Sequence, residues 1–129
     1  LIAGFKSPKD VLFKADFDFW RDRISVIQTV DSAPEGYEGP VGMVTKYIPA
    51  LALEDPENAV FICVGPPVMI KFTVQEIQKL GIREEQIWIS HERKMCCGLG
   101  KCGHCRIGST YICLDGPVFN YAEGKNLID

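Results

Sequence analysis

Cysteine is the residue type best suited to chemistry here, and five of the six cysteines lie between positions 96 and 113. Counted from Cys97, the residues Cys97, Cys102, Cys105 and Cys113 are spaced C-x4-C-x2-C-x7-C. That is the plant-type spacing of four thiolates around a [2Fe-2S] cluster. Gly98, Gly100 and Gly103 fall between these cysteines, where a backbone wrapping a compact cluster turns tightly and needs positive φ. Their N–H groups can approach sulfur, and such hydrogen bonds tune a reduction potential. The stretch therefore reads as an electron-transfer site.

Structural zinc is the chief rival, because four cysteines can also bind one tetrahedral ion. Ribbon-type zinc sites carry two C-x2-C pairs far apart, whereas this chain has one such pair, a preceding C-x4-C gap and a lone fourth cysteine. A disulfide framework suits the composition less well, since six cysteines in 129 residues fall below the density of disulfide-built secreted domains. A Rieske centre needs two histidine ligands, and the two histidines, His91 and His104, are wrongly placed for one.

Hydrophobic periodicity supplies the elements that must position this site. A strand-like start at Leu1–Phe5 leads into Ser7-Pro8-Lys9-Asp10, a capping box with proline at the first helical position. Val11, Leu12, Phe13, Phe17 and Trp20 then predict a helical apolar face over about 8–20. The β-branched run Arg23–Thr29 predicts a strand. Residues 31–42, with Pro34, Gly36, Gly39 and Pro40, predict a loop, and a helix is expected over 43–53. Asn58–Val64 is continuously apolar, the pattern of a strand buried on both faces of a parallel sheet. Gly65-Pro66-Pro67 turns into a helix from Pro67 to Leu80, ended by Gly81. Gln86–Ser90 is expected to be the last strand, followed by an irregular cysteine-rich tail.

This alternation predicts an α/β chain with a doubly wound parallel sheet and ligands at the carboxyl ends of its strands. Two such ends look adapted for that. Gly4 and Lys6, beside Ser7, would meet a ribose or phosphate near a helix N-terminus, or Ser7 merely caps and Lys6 is solvated. Val64-Gly65-Pro66-Pro67 offers a rigid turn poor in side chains against which a flat ring can lie, or is an ordinary βα loop. Neither G-x-G-x-x-G nor G-x-x-x-x-G-K-[ST] occurs.

The length suits one domain. A net charge of −3 from 14 basic and 17 acidic residues lacks the basic footprint of a nucleic-acid binder. No run reaches the roughly 18 apolar residues of a membrane span and no signal peptide is visible, so a cytoplasmic location is expected. The chain begins at Leu1, without an initiator methionine, which suggests the later part of a longer protein.

Val64–Met69, Ser90–Met95, Cys97–Cys105 and Cys113–Phe119 occur in this order, and together they resemble one flavoprotein group. These are the ferredoxin-NADP reductase-like electron-transfer subunits with a carboxyl-terminal [2Fe-2S] cluster. The group includes the electron-transfer subunits of dihydroorotate dehydrogenase B and of anaerobic sulfite reductase, the sulfhydrogenase gamma subunit, and the small subunit of NADH-dependent ferredoxin:NADP oxidoreductase. The start, Gly4–Phe13, resembles the second strand and helix of the family's nucleotide domain.

The resemblance implies a partial NAD(P)-binding domain over 1–92, lacking its first strand, and a [2Fe-2S] lobe over 93–129. It makes Cys97, Cys102, Cys105 and Cys113 the cluster ligands and Cys96 a bystander. It puts Gly65, Pro66 and Pro67 on the nicotinamide side, Val64 where many relatives have cysteine, and Gly4 and Lys6 near the adenosine ribose. By alternation Cys63 faces away from Val64 as a small buried residue. FAD would be held by a β-barrel upstream of these residues. Hydride would pass between NAD(P)H and FAD, and single electrons through the cluster to a partner catalytic subunit. No residue of this chain is assigned an acid, base or nucleophile role. Without the central first strand, the fragment should be unstable and inactive alone, since each orphaned buried backbone group costs about 1–3 kcal/mol. A ferredoxin-like carrier and a zinc-stabilised interaction domain, neither binding nucleotide, remain the alternatives.

Overall fold

The computed structural model describes residues 1–127, so the last two residues of the expected 93–129 lobe lie outside the described residues. The chain divides into two units, 1–51 and 52–129.

In the first unit, β1 (Ile2–Phe5) pairs in parallel with β2 (Ile27–Val30). Val11, Phe17 and Val30 form the core under these strands, with Ala3, Phe5 and Tyr37 packed against it. The expected single helix over 8–20 is broken. A 3-10 turn covers Pro8–Asp10, and α1 runs from Lys14 to Arg21. Ser7 does not cap a backbone amide, and its hydroxyl instead donates to the Asp10 carboxylate at 2.7 Å. Three consecutive apolar residues cannot all share one helical face. Phe13 takes φ 54°, so Val11 and Phe17 turn inward while Leu12 and Phe13 stay exposed.

A bulky residue in that conformation costs about 1–2 kcal/mol, whereas asparagine adopts it readily. Phe13→Asn, which gives up little buried surface, is expected to raise stability by about 0.5–1 kcal/mol. A urea midpoint unchanged or lowered by the substitution would show that the Phe13 ring contributes contacts outweighing the strain.

The helix expected over 43–53 shrinks to a 3-10 turn at Val44–Tyr47. Pro49 explains this, because it lacks an N–H and disfavours helical geometry at the residue before it.

In the second unit, β3 (Phe61–Val64) pairs in parallel with β4 (Ile87–Ser90), and α2 (Pro67–Lys79) connects them. Gly81, at φ 82°, ends the helix. Strand β3 differs from expectation on one face: Cys63 is buried, but Ile62 and Val64 are 69% and 60% exposed. Cys63 does face away from Val64, and burial pushes its thiol pKa up to about 11.

Strand β4 is not the last. The tail is more regular than its glycine content suggests. A hairpin of β5 (Arg106–Ile107) and β6 (Thr110–Tyr111) precedes α3 (Ile112–Asp115), β7 (Val118–Asn120) and α4 (Tyr121–Gly124). Strand β7 joins β4 antiparallel, giving the order β3-β4-β7. Asn120 fastens this return. Its amide nitrogen donates to the Glu85 carbonyl at 2.8 Å, and its oxygen caps α4 at the Ala122 N–H. Phe119 carries the tail into a core with Cys105, Ile107 and Ile112. Among the described residues no helix is long and apolar enough to cross a membrane.

Candidate metal centre and the cavity beside it

Residues 95–103 have no helix or strand, and their path is set by glycine. Gly98, Gly100 and Gly103 have φ of 67°, 65° and 76°, a region other residues enter only with strain. This folding brings the four cysteines singled out from the spacing into two side-chain pairs. The Cys97 and Cys102 side chains interact directly, and so do those of Cys105 and Cys113.

Elements on either side hold these sulfurs. Cys105 is buried in the apolar cluster just before β5, and Cys113 rides on α3. The Asp115 carboxylate accepts the Tyr111 N–H at 2.7 Å, tying α3 to β6. Backbone amides point at the sulfurs: Leu99 N–H donates to Cys97 Sγ and Gly100 N–H to Cys113 Sγ, both at 3.3 Å. The Cys102 amide, followed by those of Leu99 and Lys101, holds the Cys97 thiol below its usual range. The His104 amide does the same first for Cys102, with Cys97 second. Cys113 is shifted upward, chiefly by its contact with Cys105. Cys96 is exposed, and it offers Cys102 a backbone N–H rather than a thiol.

The grouping into two pairs bears on what the site can hold. Among the described residues no three His, Cys, Asp or Glu side chains are gathered as a single metal ion requires. One zinc ion needs its four ligands around one point, whereas a [2Fe-2S] cluster is held by four thiolates shared between two irons. Cys113 also feels Cys97, and the N–H groups directed at sulfur are of the kind that support thiolate ligands.

A cavity of about 380 Å³ opens at the carboxyl ends of β3 and β4. Gly65, Pro67 and Lys71 line it from the turn into α2, Ser90 and Arg93 from the end of β4, and Tyr121 from α4. At Gly65, with φ 152°, a Cβ would lie 2.5 Å from the Met69 methyl, so glycine gives the backbone its approach. His91 backs the wall, with Nε2 3.2 Å from the Gly124 carbonyl and its ring edge-on to Phe119.

Of the nucleotide residues singled out from the sequence, Gly65 and Pro67 line this cavity. Val64 and Pro66 do not: Val64 points outward from the sheet, and Pro66 serves as N-cap of α2. Gly4 and Lys6 belong to the first unit. There a Cβ on Gly4 would lie 2.7 Å from Val44, so close packing alone demands glycine. Sequence reasoning missed Lys71, Ser90, Arg93 and Tyr121. For Lys71 a signal existed, since it lies one helical turn after Pro67 and so faces the same strand end.

Residues 92–123 match the family described as the iron-sulfur cluster binding domain of dihydroorotate dehydrogenase B. The chain is 38% identical to sulfhydrogenase 1 subunit gamma of Pyrococcus furiosus, over 89% of this chain and 42% of that protein. It is 31% identical to the dihydroorotate dehydrogenase B (NAD(+)) electron transfer subunit of Bacillus velezensis, over 95% of this chain and 45% of that protein. Among solved structures it resembles an NADH-dependent reduced ferredoxin-NADP oxidoreductase involved in flavin-based electron bifurcation. That match has a TM-score of 0.66 and 27% identity, over 95% of this chain and 42% of the other. A ferredoxin reductase of carbazole 1,9a-dioxygenase matches with a TM-score of 0.59 and 28% identity, over 69% of this chain and 27% of that one. The chain thus spans less than half the length of these curated relatives.

Proposed function

We propose that this chain, whose residues 92–123 belong to the iron-sulfur cluster binding domain family of dihydroorotate dehydrogenase B, is the nucleotide- and cluster-binding part of an electron-transfer subunit in an oxidoreductase complex. Cys97, Cys102, Cys105 and Cys113 hold a [2Fe-2S] cluster in the 93–129 lobe. The 1–92 segment belongs to a doubly wound NAD(P)-binding domain, and FAD is held by a part of the protein outside these 129 residues. When bound, the nicotinamide and flavin supply two-electron chemistry and the cluster one-electron chemistry.

The chain's own residues bind and tune. Gly65 and Pro67 present backbone to a flat nicotinamide ring, while Lys71 and Arg93, against one acid, Glu92, leave the cavity wall with net positive charge suited to the nucleotide's phosphates. The amides of Leu99 and Gly100 donate to ligand sulfurs, which favours the more negative, reduced state. No residue acts as acid, base or nucleophile. Electrons pass to or from a partner catalytic subunit of the hydrogenase, sulfur or sulfite reductase, ferredoxin:NADP oxidoreductase or dihydroorotate dehydrogenase type. A cytoplasmic setting, where thiols stay reduced, suits a cluster held by thiolates.

The observation that carries this reading is the arrangement of four thiols as two pairs with backbone N–H groups aimed at sulfur. Oxygen-free purification should give about two irons and two sulfides per chain, with a red-brown colour that bleaches on reduction by dithionite. A colourless protein with about one zinc per chain would replace electron transfer by a structural role.

A further inference from the structure

We propose that the face made by Leu99, Gly100 and Leu114 docks an acidic protein redox partner and is the point where electrons cross to it; this rests on the cluster reading above. Leu99 and Leu114 are 64% and 60% exposed, so neither belongs to the core. They form one apolar spot. A Cβ on Gly100 would run into the end of the Leu114 side chain, so Leu114 lies over the Gly100 backbone, next to Leu99 in the chain. Immediately behind this spot, the Leu99 and Gly100 amides meet Cys97 Sγ and Cys113 Sγ at 3.3 Å each. A partner seated there is separated from ligand sulfur by one layer of loop.

Charge identifies the kind of partner. Residues 93–114 contain Arg93, Lys94, Lys101 and Arg106 and no Asp or Glu, in a chain of net charge −3, and the acids that flank them, Glu92 and Asp115, leave the stretch 92–115 with two more cations than anions. Lys94, Lys101 and Arg106 are exposed, and none of these three is held in an ion pair among the described residues. An apolar centre within a cationic segment fits a protein that rings its own apolar contact with carboxylates, and it repels a basic one. In the transfer the reduced cluster gives one electron to the partner's redox group and is itself oxidised, with no bond made or broken.

The test uses two forms of one haem acceptor. The complete protein is made without oxygen, its cluster reduced, and the return of its colour on reoxidation followed against native cytochrome c, which is basic, and succinylated cytochrome c, whose lysines have become carboxylates. At low salt the succinylated form should be reduced several-fold faster, its rate falling with added salt while the native form's rises. Lys94→Gln and Lys101→Gln should each slow the succinylated reaction and speed the native one. Leu114→Ser, at the exposed apolar side chain over Gly100, should slow the succinylated reaction several-fold and leave reduction of ferricyanide, too small to need docking, unchanged.

A red-brown protein whose rates ignore acceptor charge and these substitutions would overturn the docking surface and leave the cations to offset the cluster's own negative charge. A colourless zinc protein would sink the cluster reading and the proposal with it, a result distinguishable by eye before any kinetics.

Discussion

Cys102→Ser is expected to give protein with almost no iron and no red-brown colour, whereas Cys96→Ser keeps both. Serine's hydroxyl is a harder and far less acidic ligand than a thiol, so it does not replace thiolate in a sulfur-held cluster. Cys102 is paired with Cys97 and receives the His104 amide, so losing its sulfur removes one of the two thiolates on that side of the site. Cys97→Ser, Cys105→Ser and Cys113→Ser should act alike. Cys96 is exposed and contributes only its backbone N–H, which serine retains. Cys63→Ala should also keep the full iron content, because Cys63 is buried within β3, outside the 97–113 segment that carries the paired thiols. Iron and sulfide analysis of the purified variants is the measurement. Loss of iron in Cys96→Ser with retention in Cys97→Ser would mean that the first ligand lies one residue earlier and that the x4 spacing misleads.

That spacing is legible because ligand chemistry is local: cysteines and the glycines between them sit within 17 residues of one another, and the positive φ of Gly98, Gly100 and Gly103 follows from the tightness of the turns. Helix α2 is legible for a similar reason, with proline opening it and glycine closing it. Misreadings arise where one residue overrides a pattern. Pro49 cuts the apolar period of 43–53, and Phe13 breaks that of 8–20 by adopting a backbone conformation that periodicity does not encode. The apolar run at 58–64 reads as burial on both faces, yet apolar composition reports only what a strand tolerates. Strand β7 is illegible because three residues carry little pattern and their partner, β4, lies about thirty residues back. The cavity wall escapes the sequence because its polar residues come from three separate segments that only the sheet's strand ends bring together.

Gln86 is a structural clamp that no motif announces. Its side chain is 8% exposed at the base of β4. Its Nε2 reaches the carbonyls of Pro56, Glu57 and Ala59 at 2.8, 3.2 and 2.8 Å, and its Oε1 accepts the Arg83 N–H at 3.1 Å. One amide thereby clamps the loop before β3 to the start of β4, the two strands whose far ends carry the cavity. Gln86→Glu is nearly isosteric but turns the donor end into an oxygen facing three carbonyls. An uncompensated charge buried in this way costs about 3–5 kcal/mol at neutral pH. Because the folded state resists ionising this carboxyl, its folded pKa lies above the unfolded value of about 4.3. The charge penalty is therefore absent below that value and grows as pH rises, by up to about 1.4 kcal/mol per pH unit until the folded pKa is passed. Gln86→Ala instead leaves the carbonyls and the Arg83 N–H without partners, a loss of about 1–3 kcal/mol that does not vary with pH. Denaturation midpoints of both variants against the parent at pH 5 and pH 7.5 separate the two effects. Equal losses at both pH values in Gln86→Glu would show that the amide does not face those carbonyls, and the clamp at the base of the sheet would have to be sought in another residue.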